Sequence, residues 1–108
     1  MNALPENTFL QGISPTYNQH SFGLEMAQLH SLPAYVWGLV RVFQGEVILH
    51  LEGGGGALTL TPDTPGVIPR ERHFKLEPTG KPVRFHIEYH HEPILRDGAA
   101  LAGSLRRA

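Results

Sequence analysis

Hydrophobic and polar residues alternate along much of this chain with a period of two, which is typical of β-strands that bury one face. The alternation is clearest from Val83 to His90. There the apolar side chains share one face of the predicted strand and the polar side chains share the other: Val83, Phe85, Ile87 and Tyr89 against Arg84, His86, Glu88 and His90. We expect the apolar face to pack in a core and the polar face to meet solvent or a partner.

The stretch from Leu29 to Leu51 holds the longest apolar run and the only tryptophan, Trp37. Ala34 to Gln44 predicts a strand with apolar residues on both faces, as in a sandwich or a closed barrel. Glu46 to Glu52 predicts a second strand, and Gly45 separates the two. We interpret the pair as a β-hairpin with a tight turn at Gly45.

Short strand patterns, separated by turns rich in glycine and proline, fill most of the remaining chain. Further strands are predicted near residues 8–10 and at Phe22–His30, Ala57–Thr61, Val67–Ile68 and His73–Glu77. Residues 94–108 predict a short C-terminal helix or a flexible tail. Seven or eight short strands at regular spacing predict an all-β fold, a small antiparallel barrel or sandwich. The length of 108 residues fits one domain, 1–108, with its core at about residues 15–93.

Composition narrows the class of protein. The chain has no cysteine, which excludes disulfides and thiolate metal ligands. Its net charge is −1 and its basic residues are scattered, so no basic face for nucleic acid is expected. No apolar segment reaches the roughly 20 residues of a membrane-spanning helix, and the N-terminus lacks a signal-peptide pattern. We therefore expect a soluble cytoplasmic protein without a nucleic-acid or membrane partner.

Seven histidines are many for a chain of this size, and histidine is the commonest metal ligand. His30 ends one predicted strand and His73 begins another, so the two could converge at the rim of a barrel. Gln28 shares strand parity with His30, and a metal site needs at least three such ligands. His86 and Glu88 lie opposite the apolar set of their strand, which argues against a role as interior ligands. The alternative for each histidine is an ordinary surface or hydrogen-bonded residue.

Three aromatic residues, Tyr35, Trp37 and Phe43, are candidates for the wall of an apolar ligand pocket, with core packing as the alternative. Nucleophilic catalysis has little support, because the chain has neither a cysteine nor a Gly-x-Ser-x-Gly turn. The run Gly53–Gly56 is interpreted as a flexible loop, since no Lys-Ser/Thr pair follows to complete a phosphate-binding loop.

The same segments form a longer pattern when they are taken in order: His30, Trp37-Gly38, Gly45, Pro69–His73, Leu76–Pro78 and Val83–Tyr89. This order and spacing resemble the small cupin domain that occurs at the N-terminus of some TehB tellurite-resistance proteins and alone in YeaR-like proteins. The resemblance implies a cupin-type double-stranded β-helix, often dimeric. It also implies one divalent metal, Zn, Fe, Mn or Ni, bound by His30 and His73. Gln28 stands where relatives often have glutamate, and the carboxylate that cupins have near Trp37-Gly38 is absent.

Three hypotheses about function follow from these observations. The first is a stand-alone cupin that binds a divalent metal and a small polar molecule, with a link to tellurite or other stress resistance. The second is a non-enzymatic, metal-free barrel that forms a homodimer through the outward face of the strand Val83–His90, or binds a small ligand beside Trp37. The third is an enzyme of the isomerase or dioxygenase type, and the missing carboxylate weakens its iron-dependent form. The residues leave open whether the protein is an enzyme.

Overall fold

The structure is a computed structural model, and it describes residues 4–21, 30–53 and 56–93. These residues form β-strands and connecting turns, with no helix among them. The strands of the described residues are β1 (Phe9–Ile13), β2 (Tyr17–Asn18), β3 (His30–Ser31), β4 (Val36–Gln44), β5 (Val47–Leu51), β6 (Gly56–Leu60), β7 (Gly66–Ile68), β8 (His73–Pro78) and β9 (Arg84–His91).

The strands form two sheets in which all neighbours are antiparallel. A five-stranded sheet has the order β1-β9-β4-β7, and β2 also pairs with β9. A four-stranded sheet has the order β3-β8-β5-β6. The longest ladder joins β4 to β9, from Val36 opposite His91 to Gln44 opposite Arg84. The predicted all-β fold, a small antiparallel sandwich, is confirmed.

The core lies between the sheets and is built from alternate positions of their strands. In β9, Phe85 and Ile87 are buried, as is Val83 just before the strand, so the predicted alternation is confirmed. Val47, Leu49 and Leu51 of β5 are likewise buried, as the pattern predicted. Because each buried aliphatic side chain contributes roughly 1.5–3 kcal/mol, this layer supplies most of the driving force for folding.

The predicted hairpin at Gly45 is wrong. The strands on either side of this residue belong to different sheets: β4 pairs with β7 and β9, whereas β5 pairs with β6 and β8. The two strands therefore do not pair with each other. Gly45 instead forms the corner between the sheets, with φ +77°, and a Cβ atom there would lie 2.1 Å from the Pro82 carbonyl oxygen.

A hairpin does form one element later, where β5 and β6 pair from Val47 opposite Leu60 to Leu51 opposite Gly56. The strand predicted near residues 8–10 is present as β1, and the strand predicted from Ala34 begins at Val36. Most of the predicted strand 22–30, and the predicted helix or tail 94–108, lie outside the described residues. Within the described ranges, no helix is long and apolar enough to cross a membrane.

Candidate functional site

The face of the five-stranded sheet that points away from the core carries an unusual set of polar and aromatic side chains. Val40 and Val42 of β4 point into the core. Because side chains alternate along a strand, the odd-numbered residues of β4, from Trp37 to Phe43, point outward. In the β4–β9 ladder the outward residues lie opposite one another in pairs: Trp37 with His90, Leu39 with Glu88, and Arg41 with His86. We call this surface the outer face.

Four residues of the outer face form one hydrogen-bonded group around Glu88, here called the Glu88 cluster: Arg41, His86, Glu88 and His90. Arg41 Nε donates to Glu88 Oε2 at 2.9 Å. His86 Nε2 lies 3.0 Å from the same oxygen, and His90 Nε2 lies 3.2 Å from Oε1. The Glu88 side chain is only 14% exposed, whereas that of Arg41 is 45% exposed. The cluster is therefore a largely covered carboxylate with one accessible guanidinium.

The protonation state of Glu88 follows from these contacts. Burial by itself raises the pKa of the Glu88 carboxyl, but the three hydrogen bonds and the charge of Arg41 outweigh burial. Together they lower the pKa from its ordinary 4.5 to about 2. An ionised carboxylate only accepts hydrogen bonds, so the Nε2 atoms of His86 and His90 are assigned as the protonated donors. Glu88 is thus a fixed acceptor at neutral pH, unsuited to act as a general acid.

Aromatic rings lie at both ends of the Glu88 cluster. The Phe43 ring meets the His86 ring edge-on, with centroids 4.9 Å apart. At the other end, Trp37 Nε1 donates to Glu92 Oε2 at 2.5 Å. Arg70 Nε lies 3.6 Å from that same carboxylate oxygen. The outer face and the adjoining end of the sheet together therefore carry two exposed guanidinium groups, two carboxylates and flanking rings.

Tyr35 occupies a backbone conformation that is rare for an aromatic residue, with φ +70°. The Arg70 guanidinium lies over its ring, 5.6 Å from the centroid, and the His91 ring stacks on it at 6.4 Å. The Tyr35 carbonyl accepts a hydrogen bond from the Glu92 backbone N–H at 2.8 Å. These contacts stabilise the unusual conformation and hold Arg70 and Glu92 near the end of β4.

The three aromatic residues predicted to line a ligand pocket are not arranged around the interior. Trp37 and Phe43 both point outward from β4, six residues or roughly 20 Å apart along the strand. Tyr35 lies just before β4 and is 41% exposed. The three residues therefore flank the Glu88 cluster and the adjoining end of the sheet. Their role in binding a ligand stays a prediction.

The predicted metal ligands are on neighbouring strands but on opposite faces. His30 lies opposite the buried Phe74 in the β3–β8 ladder and points to the same side, with ring centroids 5.8 Å apart. His73, the residue before Phe74, points to the other side, where its Nδ1 is 3.6 Å from Glu52 Oε1. The two imidazoles do not converge and do not fit a shared metal ion in this arrangement. Gln28 lies outside the described residues, so the three-ligand site stays a prediction.

Among the described residues, no group of three histidine, aspartate or glutamate side chains is arranged to hold a metal ion. The sequence pattern correctly placed His86 and Glu88 on the outward face, but the Glu88 cluster as a unit was not predicted. One signal was available: positions 86, 88 and 90 share parity and are all titratable. The contribution of Arg41 had no local signal, because it depends on the register of β4 against β9.

The fold and the outer face define a small antiparallel β-sandwich domain with a hydrogen-bonded polar surface on one sheet. Residues 13–87 match the sequence profile of the TehB-like domain. This match covers more than half of the chain, and the chain therefore belongs to the TehB-like family.

Solved structures share the fold, and two of them align with most of this chain. A protein of E. coli (strain K12), whose crystal structure comes from the Northeast Structural Genomics Consortium, aligns with a TM-score of 0.74 at 17% identity and covers 87% of this chain and 100% of its own. TehB from Haemophilus influenzae aligns with a TM-score of 0.71 at 11% identity. That alignment covers 82% of this chain but 32% of TehB. At these identities the similarity concerns the fold alone. No curated protein matches the chain.

Proposed function

We propose that this TehB-like domain binds a small oxyanion at the outer face, in a role connected with resistance to tellurite or a related stress. The observation that carries the proposal is the Glu88 cluster, where a covered carboxylate orients an exposed guanidinium between aromatic rings. Membership of the TehB-like family supports the connection with tellurite. The activity of whole TehB proteins is not carried over, because this chain spans 32% of the TehB that it matches.

The chemistry of Arg41 favours an oxyanion as the ligand. A guanidinium has five N–H donors in a planar fork, and the bond to Glu88 uses Nε. The terminal nitrogens of such a group bind planar or pyramidal oxyanions through paired hydrogen bonds. At the adjoining end of the sheet, the Arg70 side chain is 42% exposed and offers the same chemistry. Glu88 and Glu92 balance the two cations and favour a small, weakly charged ligand over a highly charged one.

The proposal is tested by titrating the chain with tellurite and following Trp37 fluorescence, together with calorimetry. Trp37 is the only tryptophan, so its emission reports on this end of the outer face. We expect a saturable response that Arg41→Ala weakens by about tenfold or more, because a charge-assisted hydrogen bond contributes roughly 1.5–3 kcal/mol.

Arg72→Ala is the matched control, because Arg72 Nε donates to the Glu52 carbonyl oxygen on the other sheet. This variant should bind as the wild type does. Selenite and sulfate serve as comparison anions. A flat titration with tellurite, or equal affinity in Arg41→Ala and the wild type, contradicts the proposal.

Three finer assignments belong to the same proposal and are supported by the resemblance described above. We propose that the sandwich is a cupin-type double-stranded β-helix like that of YeaR-like proteins, that it acts in the cytoplasm, and that it forms homodimers. The resemblance also implies a divalent metal at His30, His73 and Gln28, and this metal is not part of the oxyanion proposal. Since the two imidazoles face opposite sides, we assign the metal no step in binding.

A further inference from the structure

The four edges of the two sheets differ in how well they are protected from pairing with another strand. An exposed edge presents unpaired N–H and C=O groups, and natural proteins protect such edges with bulges, charges, prolines or very short strands. Within the described residues, β1 carries a register shift between Leu10 and Gly12, and β3 has two residues. Strand β7 has three buried residues and lies between Pro65 and Pro69.

Strand β6 has none of these protective features. It is an edge of the four-stranded sheet, it runs in continuous register with β5 over five residues, and its sequence Gly-Ala-Leu-Thr-Leu has no charge and no proline. Its first four residues are exposed, so no part of the described chain covers this edge. An uncharged, regular and exposed edge strand is a template for strand addition.

Leu58 at the centre of β6 adds an apolar contribution. It lies opposite the fully buried Leu49 and so points to the core side of the sheet, yet it is 36% exposed. The core layer is therefore open at this edge. A strand added to β6 would place its own side chain beside Leu58 and extend the core layer.

We propose that β6 binds a second copy of this chain. Two β6 strands would pair antiparallel about a twofold axis at Leu58, joining the two four-stranded sheets into one continuous sheet. In this register Gly56 lies opposite Leu60 of the partner, and Ala57 lies opposite Thr59 of the partner. A second copy fits better than a charged partner, because β6 carries no charge to repel its copy. In an isologous pairing, each contact away from the twofold axis also occurs a second time on the other side of the axis.

The size of the interface sets its expected strength. Each partner contributes roughly 20–30 residues to a stable interface. A ladder of five residues supplies far fewer contacts, so we expect a reversible dimer. The proposed ligand site lies on the outer face of the other sheet, so the interface at β6 can fail without affecting the oxyanion proposal, and the reverse also holds.

Sedimentation velocity over about a hundredfold range of concentration tests the dimer. We expect the wild type to shift from monomer to dimer, and Thr59→Lys to raise the dissociation constant by about tenfold or more. Thr59 is exposed and points away from the core, so the variant should fold normally, which circular dichroism checks. Thr16→Lys, an equal change in the exposed loop between β1 and β2, should dimerise as the wild type does.

A cysteine at the proposed axis tests the register. The chain has no native cysteine, and opposed residues of an antiparallel ladder have Cα atoms about 4.5–5.5 Å apart, within disulfide range. Leu58→Cys should form an intermolecular disulfide under mild oxidation, whereas Thr16→Cys should not. A wild type that stays monomeric, a dimer unaffected by Thr59→Lys, or an uncrosslinked Leu58→Cys overturns the proposal. Loss of the dimer in Phe43→Lys alone assigns the interface to the outer face and equally overturns it.

Discussion

Replacing Glu88 by glutamine removes the charge of the Glu88 cluster and changes the shape of the side chain little. In the wild type this carboxylate is 14% exposed and accepts hydrogen bonds from Arg41, His86 and His90. The amide of Glu88→Gln keeps one accepting oxygen and places an NH₂ group where the other oxygen was. The variant therefore loses the charge-assisted part of three contacts and sets one donor group against another.

The magnitude follows from the pKa of Glu88, which falls from its ordinary 4.5 to about 2 in the folded state. At about 1.4 kcal/mol per pH unit, ionised Glu88 contributes at most about 3 kcal/mol to stability. A carboxyl whose pKa is lower in the folded state stabilises the fold above its unfolded pKa, and this contribution is lost as the pH falls toward the folded pKa. Roughly 2 kcal/mol of it should be gone at pH 3. For Glu88→Gln we expect a loss of about 2 kcal/mol at pH 7, since the amide keeps part of the hydrogen bonding.

Urea denaturation at a series of pH values between 7 and 3 measures the effect. The free energy of unfolding should differ between the wild type and Glu88→Gln at pH 7, and the difference should shrink as the pH falls below 4.5. Glu77→Gln is the matched control, because Glu77 also contacts a histidine, His50 at 2.6 Å, but is 54% exposed. An exposed pair contributes less than about 1 kcal/mol. A difference for Glu88→Gln that is constant from pH 7 to pH 3 would refute the reasoning.

Two further predictions concern the corner between the sheets and the metal hypothesis. Gly45→Ala should lower the free energy of unfolding by about 3 kcal/mol or more, because the new Cβ atom would collide with the Pro82 carbonyl oxygen. Gly80→Ala is the control: Gly80 has φ +85° but open space around an added Cβ atom, so the loss should be about 1 kcal/mol. Equal losses in urea denaturation would contradict the assigned corner. Elemental analysis of protein purified without a histidine tag, as wild type, His30→Ala and His73→Ala, tests the metal site. Since the two imidazoles face opposite sides, we expect neither substitution to change the metal content. If both variants lost bound metal to the same extent, the result would support a metal site shared by His30 and His73.

The strands and their buried faces could be predicted because strand periodicity is local. The alternation around Phe85 and Ile87 identified the core side of β9, and the proline and glycine turns separated most of the other strands. The TehB-like part of the family resemblance agreed with the profile match over residues 13–87. The prediction of a hairpin at Gly45 was wrong because it, too, rested on a local pattern. A glycine between two apolar strands is equally compatible with a turn within one sheet and with a corner between two.

The candidate site was less predictable, because its residues are distant in the sequence. Arg41 and Glu88 are 47 positions apart, and Trp37 and Glu92 are 55 positions apart. Outward-facing polar residues on a single strand are interpreted as exposed to solvent. Only the pairing of a neighbouring strand shows that they form a hydrogen-bonded group. The same holds for His30 and His73. They lie on opposite faces because His30 pairs with Phe74, and a register shifted by one residue would place them opposite each other on one face.

The sequence by itself determined the fold class, the strand positions and the side of each strand that is buried, because alternation is a property of neighbouring residues. The tertiary structure decided which strands pair and in what register, because the backbone groups that form a ladder are the same in every strand. The register of β4 against β9 sets Arg41 close to Glu88, and the order of the four-stranded sheet leaves β6 at an edge. Both proposed sites of interaction therefore rest on strand pairing, which alternation alone does not encode.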